Sequence, residues 1–381
     1  MKSDRIQWIE LDRSALSHNL RQFRSLIGKR RKLLAMVKAN AYGHGMLETA
    51  RMAVAGEADW LGVHSFEEGI ALRDAGLLDP VLVVGYVPLA SLEEAVRQDL
   101  RFVVYNRETV LQLEKICQKL DKQAYLHLKV ETGTYRQGIE HKTLFALAND
   151  IQSSPCLVLE GLSSHFANIE DTTDHSYARF QLKNFQENLT LLDDAGIQVP
   201  LKHMSCSAAA ILFPKTHFDM VRVGIGLYGL WPSRETYVSC LMKKKVPIRL
   251  RPVLSWKSRI AQLKTVPSGA FLGYGCTYRT TRRTRLALVP VGYYDGYPRD
   301  LSNVAHVLVK GQRAPLRGRV AMNFFAIDVT DIPGVKLEEE VVLLGKMDQD
   351  ELSAETMAGW AGTINYEIVA RINPQIPRIV K

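Results

Sequence analysis

An α/β barrel followed by a mostly β domain is the fold class this sequence predicts, and three observations predict it. Short apolar runs recur near 33–37, 60–63, 81–84, 101–104, 124–130, 157–163, 199–204 and 220–223. Amphipathic helical stretches lie between them, as at 66–75, 106–120 and 173–193. After Gly229 the texture changes to alternating strands separated by Gly, Pro and Asp turns. Strands alternating eight times with helices are the arithmetic of a (β/α)8 TIM barrel. A doubly wound open sheet would normally carry a Gly-rich fingerprint after its first strand, and none is present.

The chain in order supports this division. Asp12 caps a helix whose apolar residues Leu16, Leu20, Phe23 and Ile27 share one face. The first barrel strand, Leu33-Leu34-Ala35-Met36-Val37, ends on Lys38. A polar, glycine-containing turn follows, and a new helical pattern starts at about Met46. Trp231 to Arg251 reads as a Pro- and Lys-rich connector with little periodicity. Beyond it strands are expected at 253–266, 284–292, 304–310, 319–329 and 340–345, and a helix from a Ser353 N-cap to about Trp360. The expected domains are a barrel over 1–235 and a β domain over 236–381, with residues 1–12 able to pair with the β domain.

Composition bounds the function. Hydrophobic content of 46% and charged content of 23% are those of a globular chain with a large core. No apolar run reaches membrane-spanning length, and the N-terminus lacks the design of a secretory signal. Cys117, Cys156, Cys206, Cys240 and Cys276 are scattered without CxxC spacing, which points to a reducing cytoplasm and to no structural metal. The net charge of +9 is concentrated at 29–32, 243–251 and 279–285. With no nucleic-acid motif beside them, these clusters read as solvated faces and turns.

In barrels of this kind the chemistry sits at the C-terminal ends of the strands. The residues expected there are Lys38, Lys129, His165, His203 to Ser207 and Arg222. Lys38 carries two readings. It is a lysine snorkelling to the rim of a strand, or a partly desolvated amine held in its neutral, nucleophilic form. His165 and Lys129 have the same ambiguity, since a single polar residue after an apolar strand is often a satisfied core group. After the seventh strand Ser207 opens a helical run, and after the eighth Gly224-Ile225-Gly226 lets backbone N–H groups approach a ligand. A phosphate pocket opposite a mouth lysine suggests pyridoxal 5′-phosphate, held by that lysine as a Schiff base.

Val37-Lys38-Ala39-Asn40-Ala41-Tyr42-Gly43-His44-Gly45 resembles the cofactor-lysine motif of bacterial alanine racemases. The resemblance continues collinearly through Glu160-Gly161-Leu162-Ser163-Ser164-His165, Val221-Arg222-Val223-Gly224-Ile225-Gly226 and Leu254-Ser255-Trp256-Lys257-Ser258. It extends through Gly273-Tyr274-Gly275, Gly292-Tyr293-Tyr294-Asp295-Gly296-Tyr297, Gly318-Arg319-Val320-Ala321-Met322-Asn323 and Gly362-Thr363-Ile364-Asn365-Tyr366-Glu367. It implies a pyridoxal-phosphate racemase interconverting L- and D-alanine for peptidoglycan. It also implies a homodimer in which the β domain of one chain completes the other's active site.

The resemblance makes Lys38 and Tyr274 the two acid–base groups, Tyr274 coming from the other subunit. Tyr42, Ser207, Gly224, Ile225 and Tyr366 would hold the phosphate. Arg222 would face the pyridine nitrogen and His165 would lie beside the ring. Arg136 and the backbone at Met322 would meet the substrate carboxylate, and Tyr293 would line the entrance. Lys129, carbamylated in some relatives, would brace Arg136. Two bases on opposite faces suit racemisation, because neither has to travel around the planar intermediate. An arginine at the pyridine nitrogen keeps its own proton and so leaves a weaker electron sink. The chain departs from the family pattern at Thr134, Cys206 and Asn323, where the family often has methionine, asparagine and aspartate. Those departures leave substrate breadth open, and racemases of serine or other amino acids stay in play. A fold-related amino-acid decarboxylase is the rival class, but it would pair the nitrogen with an acid and use a cysteine from its second domain.

Overall fold

The computed structural model describes residues 5–244 and 246–381. Residues 1–4 of the N-terminal stretch and Lys245 of the 243–251 basic cluster lie outside the described residues.

Eight parallel strands form one sheet: Lys32–Met36, Trp60–Val63, Val81–Val83, Leu100–Val104, Ala124–Lys129, Leu157–Ser163, Leu201–His203 and Met220–Val223. The first seven pair in sequence order, each with the next, and the first pairs with the eighth. The seventh and eighth are joined by backbone hydrogen bonds from Asp219 N to Lys202 O (3.0 Å) and from Arg222 N to Ser205 O (3.1 Å), which closes the ring. The strands are short and β-branched or leucine-rich because both faces are covered, so little alternation survives in them. Val81–Val83 is wholly buried, as is Trp60–Val63.

Helices between the strands start where the sequence supplies caps. Ser65 accepts from Glu68 N while Glu68 reaches back, a complete capping box at Phe66–Asp74. Asn106 caps Arg107–Leu120 through Thr109 N. The barrel strands were expected within about a residue or two of where they lie. The connector expected after Trp231 instead contains a helix, Arg234–Met242, started by Ser233, whose Oγ accepts from Thr236 N.

The chain divides into two compact units. The barrel unit is Leu16–Ala39 with Thr49–Arg251, and the other comprises Met1–Ala15, Asn40–Glu48 and Pro252–Lys381. These units divide the C-terminal part of the chain between Arg251 and Pro252, whereas the sequence places a boundary at 235/236. Helix Arg234–Met242 belongs with the barrel, where its His175–Ser239 and Lys243–Leu212 bonds tie it down.

In the second unit a seven-stranded sheet runs Gln312–Pro315, His306–Val309, Glu340–Met347, Leu254–Arg259, Gln7–Leu11, Arg378–Val380, with Asp350–Leu352 paired to Glu340–Met347. Gln7–Leu11 pairs antiparallel with Leu254–Arg259 and parallel with Arg378–Val380. The strand expected over 253–266 is two strands, because Gln262–Val266 joins a separate sheet with Thr284–Val289 and Phe325–Asp328. The strand expected from 319 begins only at Phe325, since Ala321 N folds back on Phe324 O. Trp256, Tyr297 and Phe325 form the aromatic centre, with Tyr297 stacked on Phe325 at 4.7 Å and Trp256 edge-on at 5.9 Å. Each such ring pair adds roughly 0.5–1.5 kcal/mol beyond area burial.

Candidate active site

The turn after the first barrel strand is a helix of the opposite hand. Lys38–Tyr42 is a five-residue helical turn in which Ala39, Asn40, Ala41 and Tyr42 have φ of 53°, 52°, 53° and 53°. An L-residue in this conformation costs roughly 1–2 kcal/mol because Cβ crowds the following carbonyl, and asparagine tolerates it better than most. Strain of this kind persists where surrounding contacts over-determine it. Glu68 Oε1 accepts from Ala39 N at 2.6 Å, and Asn40 Oδ1 accepts from Met46 N at 2.9 Å, starting the helix Met46–Ala55. Gly43 continues the turn with φ 84° under the Val369 carbonyl, where a Cβ would sit 1.8 Å from that oxygen. Arg378 Nη2 donates to the Gly43 carbonyl at 2.9 Å. His44, buried and held neutral by that burial at a pKa of about 4, lies 3.1 Å through Nδ1 from the Tyr42 carbonyl.

Lys38 emerges from this turn half-buried. Burial pulls its amine below the ordinary lysine range, and Arg136 and Arg222 add to the effect. Lys129, at the end of the fifth strand, is pulled down to about 8 by burial and then by Arg222 and Arg136. Its Nζ donates to Gln137 Oε1 at 3.1 Å. A small cavity is lined by Lys129, Glu131, Thr134, Arg136, Gln137, Ser164 and His165. Glu131 shapes its rim by accepting from Gly133 N and Thr134 N, both at 2.6 Å, which fixes the loop that carries Arg136. Thr134 bonds the His165 carbonyl at 2.7 Å. The mouth of this barrel thus gathers Lys38, Lys129, Arg136 and Arg222, an excess of cations suited to anionic groups.

Arg222 is buried, and burial lowers it to about 10, so it stays cationic at neutral pH. Its Nη1 donates to His203 Nδ1 (2.6 Å) and His203 O (3.0 Å), and its Nη2 to Ser164 O (2.7 Å), Met204 O (3.2 Å) and His165 Nδ1 (3.2 Å). Among the described residues none of these acceptors is a carboxylate. His165 is held well below its ordinary value by burial and by Arg222, and is therefore a neutral acceptor. Ser207 begins the helix Ser207–Leu212, and its Oγ accepts from Gly224 N (3.0 Å) and Gly226 N (3.3 Å), joining the two loops after strands seven and eight. Cys206 precedes it, and burial pushes its thiol up to about 11, which leaves it unsuited to nucleophilic work.

The model of the alanine racemase N-terminal domain matches residues 11–232, and that of the C-terminal domain matches residues 253–380. An alanine racemase of Halothermothrix orenii is 42% identical over 98% of this chain and 96% of its own length. The crystal structure of alanine racemase from a D-cycloserine-producing Streptomyces lavendulae superposes with a TM-score of 0.92 at 33% identity, covering 100% of this chain and 98% of that one. This chain belongs to the alanine racemase family. It is accordingly an isomerase, an amino-acid racemase. A histidine racemase from Leuconostoc mesenteroides shares the architecture at 27% identity and a TM-score of 0.90, covering 99% of this chain and 98% of that one.

Within the barrel unit of this racemase, the expected residues Lys38, Lys129, Arg136, His165 and Arg222 act on one another electrostatically, and Ser207, Gly224 and Ile225 lie on two adjoining loops. Within the second unit Tyr42 and Tyr366 face each other at 6.1 Å between ring centroids. Tyr274 is 70% exposed and sits between Gly273 and Gly275, both at positive φ. Met322 and Tyr293 are exposed neighbours, linked by backbone bonds from Tyr293 N to Ala321 O (3.1 Å) and Tyr294 N to Met322 O (3.0 Å). Asn323 is exposed beside them. The sequence reading missed His127, Glu160 and Arg101, which continue the Arg222 contacts, and Glu68, which holds the strained turn. Glu68 was detectable only as a capping-box residue; Glu160 opened the quoted Glu160–His165 motif without a role, and nothing marked His127 or Arg101.

Proposed function

We propose that this racemase acts on alanine, interconverting its L and D forms with pyridoxal 5′-phosphate by a two-base mechanism, and that it supplies D-alanine for peptidoglycan. The observation that carries the reading is Lys38, desolvated at the barrel mouth and pulled further down by Arg136 and Arg222 against the opposing charge of Glu68. Its neutral amine is the form that condenses with an aldehyde. The other donors fit the same cofactor: Ser207 and the Gly224–Gly226 backbone suit its phosphate, and Arg222, free of any carboxylate partner among the described residues, suits its ring nitrogen. Bound there, the cofactor would supply the electron sink that makes the substrate's Cα–H bond acidic.

The chain's own residues would do the rest. Lys38 would exchange the Cα proton at Nζ on one face, and Tyr274 of a second copy would exchange it at Oη on the other. The exposure of Tyr274 (70%) and Met322 (54%) in a single chain supports a homodimer in which these groups complete another copy's site. Arg136, on the cavity rim, would meet the substrate carboxylate, and Arg222 would keep the ring nitrogen unprotonated because it retains its own proton. Tyr42 and Tyr366 would take the phosphate and Tyr293 the entrance. Lys129, with a neutral amine readily available, would take up carbon dioxide to form an anion beside Arg136; electron density showing a bare amine would overturn that. Five free cysteines support a cytoplasmic setting.

A broader specificity is the second reading, supported by Asn323 and by the likeness to the histidine racemase. The test is a chirality assay on single-enantiomer amino acids. Alanine is expected to lose optical purity fastest. Faster loss with serine or histidine would replace the substrate assignment, and carbon dioxide release without racemisation would replace the reaction. In parallel, Lys38→Ala is expected to remove the visible absorption of the lysine-bound cofactor; an unchanged band would refute the cofactor assignment.

A further inference from the structure

The contacts of Arg222 extend away from the cavity as a single file of hydrogen bonds. Arg222 Nη1 reaches His203 Nδ1 at 2.6 Å, His203 Nε2 reaches His127 Nδ1 at 2.8 Å, and His127 Nε2 reaches Glu160 Oε2 at 3.1 Å. Arg101 Nε stands 3.7 Å from the same Glu160 oxygen, its guanidinium over the Trp60 and Tyr125 rings at 5.4 and 5.0 Å. Both imidazoles are fully enclosed, His127 at 0% exposure and His203 at 1%. The barrel makes room for them. The pairing between strands five and six shifts register at Leu126/His127, and position 161 is glycine, where a Cβ would fall 2.2 Å from His127 Nδ1.

The direction of every bond in the file follows from its two ends. A guanidinium only donates and an ionised carboxylate only accepts. His203 Nδ1 must therefore present its lone pair to Arg222, which puts the His203 proton on Nε2. His127 Nδ1 must accept that proton's hydrogen bond, which puts the His127 proton on Nε2, aimed at Glu160. Both rings are neutral, and each has one permitted tautomer. Reversing His203 would turn its Nδ1–H toward the Arg222 guanidinium, and reversing His127 would set its Nδ1–H against the His203 Nε2–H, donor against donor in a buried site either way.

We infer that Glu160 is a positioning residue for Arg222: accepting from His127 at the far end, it locks the file of His127 and His203 that holds the guanidinium. This rests on the reading that Arg222 serves the cofactor nitrogen. Glu160 also balances charge, since this one carboxylate faces Arg101 directly and Arg222 through the two neutral rings. The three groups lie in file rather than around a point, and among the described residues no His, Cys, Asp or Glu group is arranged to hold a metal ion.

The lock is tested on the apoprotein with 15N-labelled histidine. In the native chain both His127 and His203 are expected to carry a protonated Nε2 and a pyridine-like Nδ1. A protonated Nδ1 on either ring, or an imidazolium, would overturn the proposal. This measurement needs neither cofactor nor activity, so it stands or falls separately from the Lys38 absorption band. In Glu160→Leu the Arg222 guanidinium still sets both tautomers, but the buried His127 Nε2–H loses its acceptor and its 15N resonance is expected to shift. In the loaded enzyme this substitution should lower kcat roughly ten- to hundredfold, the scale of one hydrogen bond to a charged group, with KM changed less. Glu160→Gln, whose Oε1 still accepts from His127, should restore most of kcat and bring the His127 Nε2 resonance back toward its native position. If Glu160→Leu does not fold, the native tautomers and the Glu160→Gln spectrum decide the matter. An unmoved His127 Nε2 resonance in Glu160→Leu, or an equal loss of kcat in Leu and Gln variants, would overturn the lock.

Discussion

Replacing Ala39 by glycine tests the left-handed turn after Lys38 by the sign of a stability change. In a right-handed helix, alanine to glycine costs about 1 kcal/mol. Here Ala39 has φ of 53° and is exposed, so the substitution removes little packing and releases the Cβ crowding of the left-handed conformation. That release is worth roughly 1–2 kcal/mol. Glycine's larger loss of freedom on folding takes back about 0.5–1 kcal/mol. The expected net is a stabilisation of roughly 0.5–1 kcal/mol, against a destabilisation of about 1 kcal/mol for a right-handed turn. The bond from Ala39 N to Glu68 is backbone-donated and survives the change. A denaturant midpoint at fixed protein concentration reads the difference, since any oligomer makes stability concentration-dependent. A lowered midpoint with unchanged slope would refute the left-handed assignment.

Two further substitutions follow from the same structure. Gly43→Ala should fail to fold or lose at least about 3 kcal/mol, the upper end of overpacking costs, because its Cβ meets the Val369 carbonyl at 1.8 Å and φ is 84°; thermal melting checks this, and a melting temperature near the native one would contradict the close approach. Lys129→Met should flatten the alkaline rise in stability. Between about 8 and its ordinary value of 10.5 the unfolded lysine holds a proton that the folded one has released, so native stability climbs with pH across that window. Denaturation at several pH values measures the slope, and an identical slope in the variant would remove Lys129 as its source.

Much of the fold was legible because buried parallel strands announce themselves as apolar runs of fixed spacing. The first strand, Lys32–Met36, and the third, Val81–Val83, are wholly or largely buried and could hardly be read otherwise. Helix Arg234–Met242 escaped because its apolar residues are not gathered on one face, although Ser233 was an available start signal. The break between Leu254–Arg259 and Gln262–Val266 escaped because a strand that changes sheets keeps its β character on both sides of the corner. The hand of the Lys38 turn was not legible either. Asn40, Gly43 and Gly45 favour positive φ individually, but Ala39, Ala41 and Tyr42 do not, and contacts distant in sequence, such as those of Glu68 and Arg378, hold the turn.

The candidate site divides in the same way. Residues at strand ends, such as Lys38, Lys129, His165 and Arg222, follow from strand boundaries alone. The file from Arg222 to Glu160 depends on side chains that meet across neighbouring strands, His127 and His203 being 76 positions apart. Their pairing is created by a register shift and a missing side chain at Gly161, neither of which leaves a pattern in one sequence.

On the proposed mechanism Lys38 and Tyr274 act on opposite faces of the same substrate carbon. The decisive measurement is the rate of Cα-proton exchange into solvent from L-alanine and from D-alanine in a Tyr274→Phe variant. Exchange from L-alanine is expected to slow far more than exchange from D-alanine, because only one face loses its base. Equal slowing from both enantiomers would contradict it.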